Sequence, residues 1–323
     1  MTSRERFLTT LAFREPDRPP TFESIFDLNQ EAFGREIPSE QAVAAATGQE
    51  RDRLLHECVE VYGLVVERFG WDAISLWSPW GGVDNLDCLR IAVRELGSQV
   101  MVGAFIGWAV HAIETVKDYT QFAVDLYERP QEIHAQARQM AEAALRIGLD
   151  MAEVGADFVF PVSDVAYNQG PFLSPAMFRE FVTPYLEYFI PKLKDQGLIV
   201  ILHSDGNLMP VLEDFLAGGP HVLQSIDPMA GMDLAENKRL TYGRVALMGN
   251  VQCSLMQDGP EEAIRAEVRR AVSQGAPGGG YIFGTSNTIF PGMPLRHYEV
   301  MVEEFRRVTE WSGGDSDLAL DRM

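Results

Sequence analysis

Short runs of β-branched and other apolar residues recur along the chain, and each run ends in a polar or glycine-containing turn. An amphipathic pattern typical of a helix follows most of them. Strands that alternate with helices pair in parallel, and eight such units favour a closed barrel over an open sheet. The predicted strands are 19–26, 71–77, 99–105, 156–162, 198–203, 221–226, 245–250 and 280–285.

Punctuation residues mark the helices between these strands. Pro130 opens a long helix, Ser174 with Pro175 begins another, and Pro260 begins a third. The helical stretch 41–69 is longer than a standard unit needs and predicts an inserted helix pair near the barrel mouth. We therefore predict an α/β fold, a (β/α)₈ TIM barrel with an inserted helical segment between strands one and two.

The 323 residues, 46% of them hydrophobic, fit one barrel domain over 1–312, followed by a polar tail at 313–323 that we expect to be disordered. No GxGxxG or GxxxxGK[ST] motif follows the first strand, which excludes the usual dinucleotide and P-loop sites. The net charge of -20 disfavours nucleic acid and anionic membranes as partners.

The location expected for the protein is the cytoplasm. The N-terminus has no apolar signal core, and the longest apolar stretch, 100–113, is interrupted by His111 and is too short to span a membrane. The three cysteines are scattered without a CxxC pair, which disfavours both a disulfide framework and a cysteine-only zinc site.

In a barrel of this kind the active site lies at the C-terminal ends of the strands, so the polar and aromatic residues that end each run are the candidates. We expect catalytic roles for Asp164, His203, Asp205 and Asn250. The expected substrate-binding residues are Glu23, Trp77, Trp108, Tyr167, Asn207, Asp227, Ser286 and Asn287. Asp27, Trp80, His111 and Cys253 also pass this filter.

His203 and Asp205 are the strongest pair. Side chains two apart on a strand point to the same face, and the preceding apolar run places both at the strand's end. An imidazole and a carboxylate there can share a metal ion or act as an acid/base pair; alternatively, the histidine caps the strand and Asp205 bonds within the loop. Turn capping is the alternative for Asp164 and Asp227, and packing is the alternative for Cys253 and the aromatic residues.

Several motifs, in order and spacing, resemble the uroporphyrinogen decarboxylase superfamily over almost the full chain. They are Ser3-Arg-Glu-Arg-Phe7, Glu15-Pro-Asp-Arg18-Pro, Asp164 with Gly170-Pro-Phe-Leu-Ser174-Pro175, His203-Ser-Asp-Gly-Asn207, Met248-Gly-Asn250 and Gly279-Gly-Tyr-Ile-Phe-Gly-Thr-Ser-Asn287. The resemblance implies a TIM barrel and one of two activities: decarboxylation of uroporphyrinogen, or zinc-dependent methyl transfer with corrinoid proteins.

The chain departs from both branches of that superfamily. Decarboxylases have an arginine-rich segment after the first strand and an aspartate after the second, where this chain has the acidic segment 21–27 and the aromatic segment 77–80. The methyltransferase branch has His-x-Cys, where Asp205 replaces the cysteine, and a further cysteine near the last strand, which is absent here. Zinc also accepts carboxylate oxygen, so His203 and Asp205 with a third ligand, Glu23, Asp164 or Cys253, can still bind it.

The leading hypothesis is a metal-assisted, corrinoid-dependent methyltransferase acting on a small methylated substrate. Zinc is the expected metal, and the corrinoid (cobalamin) would be a co-substrate on a separate protein, because the chain lacks an Asp-x-His-x-x-Gly cobalamin motif. One alternative is a metal-free decarboxylase or lyase in which Asp164 or Asp205 stabilises a cationic intermediate from a tetrapyrrole or a smaller carboxylated substrate. The other is a non-catalytic tetrapyrrole- or corrinoid-binding barrel. Oligomeric state stays open, with a homodimer as one option.

Overall fold

The computed structural model describes residues 1–77 and 83–309. The predicted tail 313–323 and the candidate Trp80 lie outside the described residues. Within those ranges, no helix is long and apolar enough to cross a membrane.

Parallel strands form the wall of the molecule. The described strands are β1 Ala73–Leu76, β2 Met101–Trp108, β3 Phe158–Val162, β4 Ala166–Tyr167, β5 Gly170–Pro171, β6 Ile199–His203, β7 Val222–Gln224, β8 Ala246–Val251 and β9 Tyr281–Thr285. Seven of them pair in parallel in the order β1-β2-β3-β6-β7-β8-β9, and β4 and β5 form a separate antiparallel hairpin. Each of the seven sheet strands overlaps a predicted strand.

The eighth position of the wall is filled by the start of the predicted strand 19–26. Thr21 makes an isolated parallel bridge to Phe283 of β9, and its carbonyl accepts a hydrogen bond from Asp72 N at 2.8 Å, next to β1. This segment therefore joins the two edges of the sheet and closes the barrel. It forms bridges in place of a full strand, and Pro19 and Pro20, which lack N–H donors, are a physical reason for that.

Helices surround the barrel. The inserted segment contains α3 and α4, the predicted pair, and α2 precedes them. The helices are α1 Ser3–Leu11, α2 Asn29–Phe33, α3 Glu40–Ala45, α4 Gly48–Phe69, α5 Val83–Leu96, α6 Tyr119–Glu128, α7 Pro130–Glu153, α8 Pro175–Phe181, α9 Thr183–Lys194, α10 Leu212–Phe215, α11 Leu234–Thr241, α12 Cys253–Asp258, α13 Glu261–Gly275 and α14 Leu295–Val308. Single 3₁₀ turns lie at Ile113–Thr115, Met209–Val211 and Pro228–Ala230.

The apolar core fills the barrel towards the N-terminal ends of the strands and leaves a cavity at their C-terminal ends. Phe22 and Phe158 are fully buried, and their ring centroids lie 5.7 Å apart across the interior. Two and four residues further along β3, Phe160 and Val162 line a cavity. Because alternate residues of a strand share a face, this one strand supplies both the packed floor and part of the open site above it.

Candidate active site

A cavity of about 250 Å³ opens at the C-terminal ends of the strands, where the active site of a barrel is expected. One side is aromatic and another is acidic. The described residues that line it are Ser24, Ile25, Trp77, Phe105, Trp108, Glu114, Phe160, Val162, Asp164, His203, Asp205, Asn287 and Thr288.

Three side chains converge in this cavity: Asp164 after β3, His203 at the end of β6, and Asp205 two residues later. We call them the triad. His203 Nε2 lies 3.2 Å from Asp164 Oδ1 and 4.0 Å from Asp205 Oδ1. One ligand atom from each residue lies within 4.8 Å of the others, which is close enough for all three to bind one metal ion.

Hydrogen bonds hold the triad in place. His203 Nδ1 contacts Oε1 of the fully buried Gln224, which leaves Nε2 directed at the two carboxylates. The Asp205 carboxylate accepts hydrogen bonds from Ser225 Oγ at 2.8 Å and from Asn287 Nδ2. Asp164 Oδ1 accepts one from Asp205 N at 3.0 Å. Such outer contacts are what orient metal ligands in proteins.

The backbone beside the triad adopts conformations that few residues tolerate. Gly206 has φ +82°, and a Cβ there would lie 2.2 Å from the Ala166 carbonyl oxygen, so the motif requires glycine at this position. At the end of β7, Ser225 and Ile226 have φ of 117° and 48°, although neither is glycine. Strained residues of this kind concentrate at functional sites, and here the strain presents the Ser225 hydroxyl to Asp205.

The triad groups perturb one another's protonation. Burial opposes the charged imidazole, but the hydrogen bond that it donates to Asp164 and the charges of both carboxylates outweigh that effect and raise the pKa of His203 to about 9. For Asp164, burial acts to raise the pKa, but the contact with His203 outweighs it and the pKa lies below the ordinary value. Burial raises the pKa of Asp205. Without a metal ion, His203 is therefore an imidazolium at neutral pH.

A continuous row of rings leads from the rim of the cavity to the triad. The Trp77 side chain, with 42% of its surface exposed, contacts Phe105 edge-on at 4.9 Å between centroids. Phe105 stacks on Phe160 at 4.7 Å, and the Phe160 centroid lies 6.2 Å from that of His203. Trp108 also lines the cavity, so both predicted tryptophans lie where the sequence placed them.

Gln224 and Glu114 are two polar residues of the site that the sequence pattern does not predict as such. Gln224 lies within the predicted strand 221–226, and its contact with His203 depends on the pairing of β6 with β7. Glu114 lies six residues beyond the end of β2, on the 3₁₀ turn Ile113–Thr115, and lines the cavity beside the triad. Gln224 ends the observed strand β7 but lies inside the longer predicted strand, and Glu114 lies beyond the end of β2. Polar residues within the predicted strands and in the turns after them would include both.

Glu23 and Asn250 do not line the cavity. The Glu23 carboxylate accepts hydrogen bonds from Thr285 N at 3.0 Å and Thr285 Oγ1 at 2.6 Å. Phe283, on the same face of β9, stacks on Phe305 of α14 at 4.2 Å, so Glu23 faces the helical layer.

Asn250 donates to the Ile226 carbonyl at 2.8 Å and accepts from Arg270 Nη2 of α13 at 2.8 Å. Neither position supports the role expected from the sequence, because neither side chain faces the cavity.

Cys253 and Ser286 lie together behind the cavity wall. Ser286 Oγ donates to Cys253 Sγ at 3.6 Å, and the thiol contacts the Thr288 carbonyl oxygen at 3.7 Å. Burial raises the pKa of Cys253, which disfavours the thiolate that a metal requires. Of the three candidates for a third ligand, Asp164 is the one that the described structure brings to His203 and Asp205.

The other candidates lie around the site without lining the cavity. Tyr167, on the β4–β5 hairpin, is exposed and donates to Tyr119 Oη at 3.2 Å. Asn207 and Asp227 both use their side chains to cap turns, accepting from Met209 N at 3.0 Å and Met229 N at 2.9 Å. His111 is buried against Phe122, and Asp27 N pairs with the Ile289 carbonyl.

Comparison with known proteins identifies the family. The family model for uroporphyrinogen decarboxylase (URO-D) matches residues 85–308, well over half of the chain. The chain belongs to the uroporphyrinogen decarboxylase family. Two curated relatives named uroporphyrinogen decarboxylase are 28% identical over 240 residues, in Xanthomonas axonopodis pv. citri, and 27% identical over 237 residues, in Alkalilimnicola ehrlichii.

The curated relatives match over part of their length, and the structural matches are low in sequence identity. The two relatives align with 70% and 69% of this chain, and the alignments span 65% and 61% of their own lengths, less than two thirds. A methyltransferase from Methanosarcina mazei is similar in structure, with a TM-score of 0.76, 18% identity and coverage of 95% of this chain and 99% of that one. A B12-independent methionine synthase from Shewanella sp. W3-18-1 is similar over 82% and 89%, with a TM-score of 0.55 and 10% identity. At identities this low, the two structural matches show only that this chain shares the barrel fold with those proteins.

Proposed function

We propose that this member of the URO-D family is a metal-assisted methyltransferase that moves a methyl group from a small substrate to a corrinoid carried by a separate protein. The observation that carries the proposal is the convergence of Asp164, His203 and Asp205 at the mouth of the barrel. The fold that the chain shares with the Methanosarcina mazei methyltransferase supports it.

The triad has the chemistry of a zinc site. One imidazole nitrogen and two carboxylate oxygens are ligands that zinc accepts, and three protein ligands leave a position open for substrate. The contact between His203 Nδ1 and Gln224 resembles the outer hydrogen bond that metal-bound histidines commonly make. When bound, a divalent ion would supply Lewis-acid polarisation of a substrate oxygen or sulfur.

The remaining residues then have definite tasks. Gln224 fixes the imidazole ring, and Ser225 and Asn287 orient Asp205. The aromatic side of the cavity keeps water away from the bound substrate. In the transfer itself, the bond from methyl to oxygen or sulfur breaks and its electron pair stays on that atom. The methyl acceptor would be a Co(I) corrinoid on the separate protein, which would provide the electron pair for the bond to the methyl carbon.

Uroporphyrinogen is a poorer fit as a substrate. It is a polycarboxylate, whereas the described lining of the cavity contains three carboxylates and neither lysine nor arginine. Carboxylate recognition in proteins normally uses arginine forks. A metal-free decarboxylase of a smaller substrate is the second candidate, and the raised pKa of His203 favours it, because an imidazolium beside a carboxylate can donate a proton.

Metal analysis and a methyl-transfer assay test the first candidate. We expect the purified or zinc-reconstituted protein to hold one ion per chain, and His203→Ala to lose it. Asp227→Asn is the matched control, since that carboxylate caps a turn outside the cavity. With Co(I) corrinoid and a panel of methyl ethers and thioethers, the visible spectrum should change on methylation. Activity that survives chelation and His203→Ala would overturn the proposal, and carbon dioxide release under those conditions would favour the second candidate.

A further inference from the structure

The acidic side of the cavity includes one carboxylate that the triad does not use. Glu114 lines the cavity and has no ion-pair partner among the residues that the structure describes. Its position is fixed by the backbone: Ile113 N donates to the Asp164 carbonyl at 2.8 Å, which ties the 3₁₀ turn to the residue that begins the triad. The Ile113 carbonyl in turn accepts a hydrogen bond from Tyr119 Oη at 2.7 Å. The backbone that carries Glu114 is therefore tied to the triad, and its exposed carboxylate lies at the rim of the cavity.

The charges around the cavity do not cancel. Glu114, Asp164 and Asp205 face one imidazole, and the described lining holds no lysine or arginine. A divalent ion bound by the two aspartates and a neutral His203 would still leave Glu114 unbalanced. The empty part of the cavity therefore favours a positive charge on whatever enters it.

The aromatic side favours the same kind of ligand. Trp77 and Trp108 line the cavity mouth, and Trp77 begins the row of rings that runs through Phe105 and Phe160 to His203. Tryptophan faces attract cations, and quaternary ammonium groups are bound in proteins by walls of such rings. An aromatic wall and a carboxylate in one cavity favour a cation that is bulky and weakly hydrated over a small inorganic one.

Taking the cavity as the substrate site of the proposed function, we infer that it selects a small substrate carrying an ammonium or sulfonium group. That group would lie between Glu114 and the rings of Trp77 and Trp108, while an oxygen or sulfur at its other end faces the triad. Glu114 and Trp77 are then specificity-determining residues.

Two ligands of the same shape and different charge provide the test. The probes are choline and its uncharged isostere, the alcohol with a tert-butyl group in place of trimethylammonium, titrated by calorimetry into the full chain. We expect choline to bind about tenfold more tightly than the isostere. Equal or tighter binding of the isostere, or no binding of choline at millimolar concentration, would overturn the inference.

Three variants assign the preference to residues. Glu114→Gln should weaken choline binding about fivefold and leave the isostere unchanged, and Trp77→Leu should weaken choline about threefold. Glu128→Gln is the control, because this exposed carboxylate on α6 does not line the cavity. Near-ultraviolet circular dichroism confirms that each variant is folded. A Glu114→Gln variant that loses both ligands equally would contradict the role of its charge.

Running the titrations with metal-depleted and zinc-loaded protein separates this inference from the proposed function. A preference for choline in a protein that binds no zinc would support the inference and contradict the metal-assisted mechanism of the proposed function. Stoichiometric zinc without any preference for the cation would do the reverse.

Discussion

At the N-terminal ends of the strands, Asp72 accepts hydrogen bonds from Arg6 Nη1 and Arg18 Nη1, each at 2.6 Å, whereas at the C-terminal ends Asp164 and Asp205 share the imidazole of His203. In the N-terminal cluster, Asp17 also pairs with Arg6 at 2.7 Å, so two carboxylates match two guanidinium groups. The C-terminal cavity, with Glu114, holds three carboxylates.

The difference separates structure from function within one barrel. Removing one partner of a buried, matched pair of charges destabilises a fold, whereas an excess of one sign in an open cavity is suited to a ligand. Arg6, Asp17 and Arg18 belong to the N-terminal motifs that carry the family resemblance, and the structure gives them a role in holding the barrel floor. The motif around His203 forms the site.

The largest effect should come from breaking the N-terminal cluster. Asp72→Asn removes the charge that two buried guanidinium groups share, and we expect it to lower the free energy of unfolding by about 3–5 kcal/mol, measured by chemical denaturation. Glu213→Gln is the control, because its pair with Arg244 is exposed and should cost less than about 1 kcal/mol. Similar losses of stability in both variants would contradict the structural role assigned to the N-terminal cluster.

Glu23 is as buried as Asp72, but the described part of the chain places no cation beside it. Burial raises its pKa to about 8, from an ordinary value of 4.5, despite the hydrogen bonds from Thr285. Between those two values the unfolded chain releases this proton and the folded chain keeps it. Stability should therefore fall as pH rises from 4.5 towards 8 and then level off.

Glu23→Gln should remove that dependence. At pH 7 the variant should be more stable than the parent by about 3 kcal/mol, since each pKa unit corresponds to roughly 1.4 kcal/mol. Denaturation midpoints across the pH range measure this, with Glu128→Gln as an exposed control. A variant that is less stable than the parent at pH 7 would contradict this assignment and would indicate that Glu23 is ionised in the folded protein.

Within the cavity, Asp164→Asn should change protonation more than stability. The contact with Asp164 is the main interaction that raises the pKa of His203, so we expect that pKa to fall from about 9 by at least about one unit in metal-free protein, followed by nuclear magnetic resonance. Asp227→Asn should leave it nearly unchanged.

The same titration sets the pH dependence of metal binding. His203 must lose its proton before Nε2 can bind a metal, so zinc affinity of the parent protein should rise with pH up to about 9. An affinity that is flat between pH 6 and 9 would show that this imidazole is neutral throughout, contrary to the geometry of the triad.

The sequence predicts those features of the molecule that depend on residues close together in the chain, and it predicts less well those that depend on distant residues. Seven sheet strands and the inserted helices follow from local periodicity, and the pairing of His203 with Asp205 follows from their being two residues apart at the end of β6. Asp164 joins them because parallel strands end at the same face of the barrel.

The errors at single positions have a common cause. Neighbouring residues on a strand face opposite sides, so a prediction that is wrong by one position assigns to the cavity a side chain that faces the helices. Ser24 lines the cavity, whereas the predicted Glu23 does not. Asn250 also faces the helical layer, where it contacts Arg270. Glu114 and Gln224 were missed because their places depend on a turn and on strand pairing, which local pattern does not reveal.

The smallest effect expected is that of Gln224→Leu, which removes the contact that orients His203 without touching the triad carboxylates. The fully buried glutamine contacts the imidazole through Oε1, and an apolar residue of similar size leaves Nδ1 without that partner. We expect zinc affinity to fall about tenfold, the lower end for outer contacts of metal ligands, as measured by competition with a chelator. Gln252→Leu, which loses a contact to Ser254, should have no effect. If both variants bind zinc as the parent does, the triad is oriented by Asp164 and Asp205 alone, and the cavity is less preorganised than its hydrogen bonds imply.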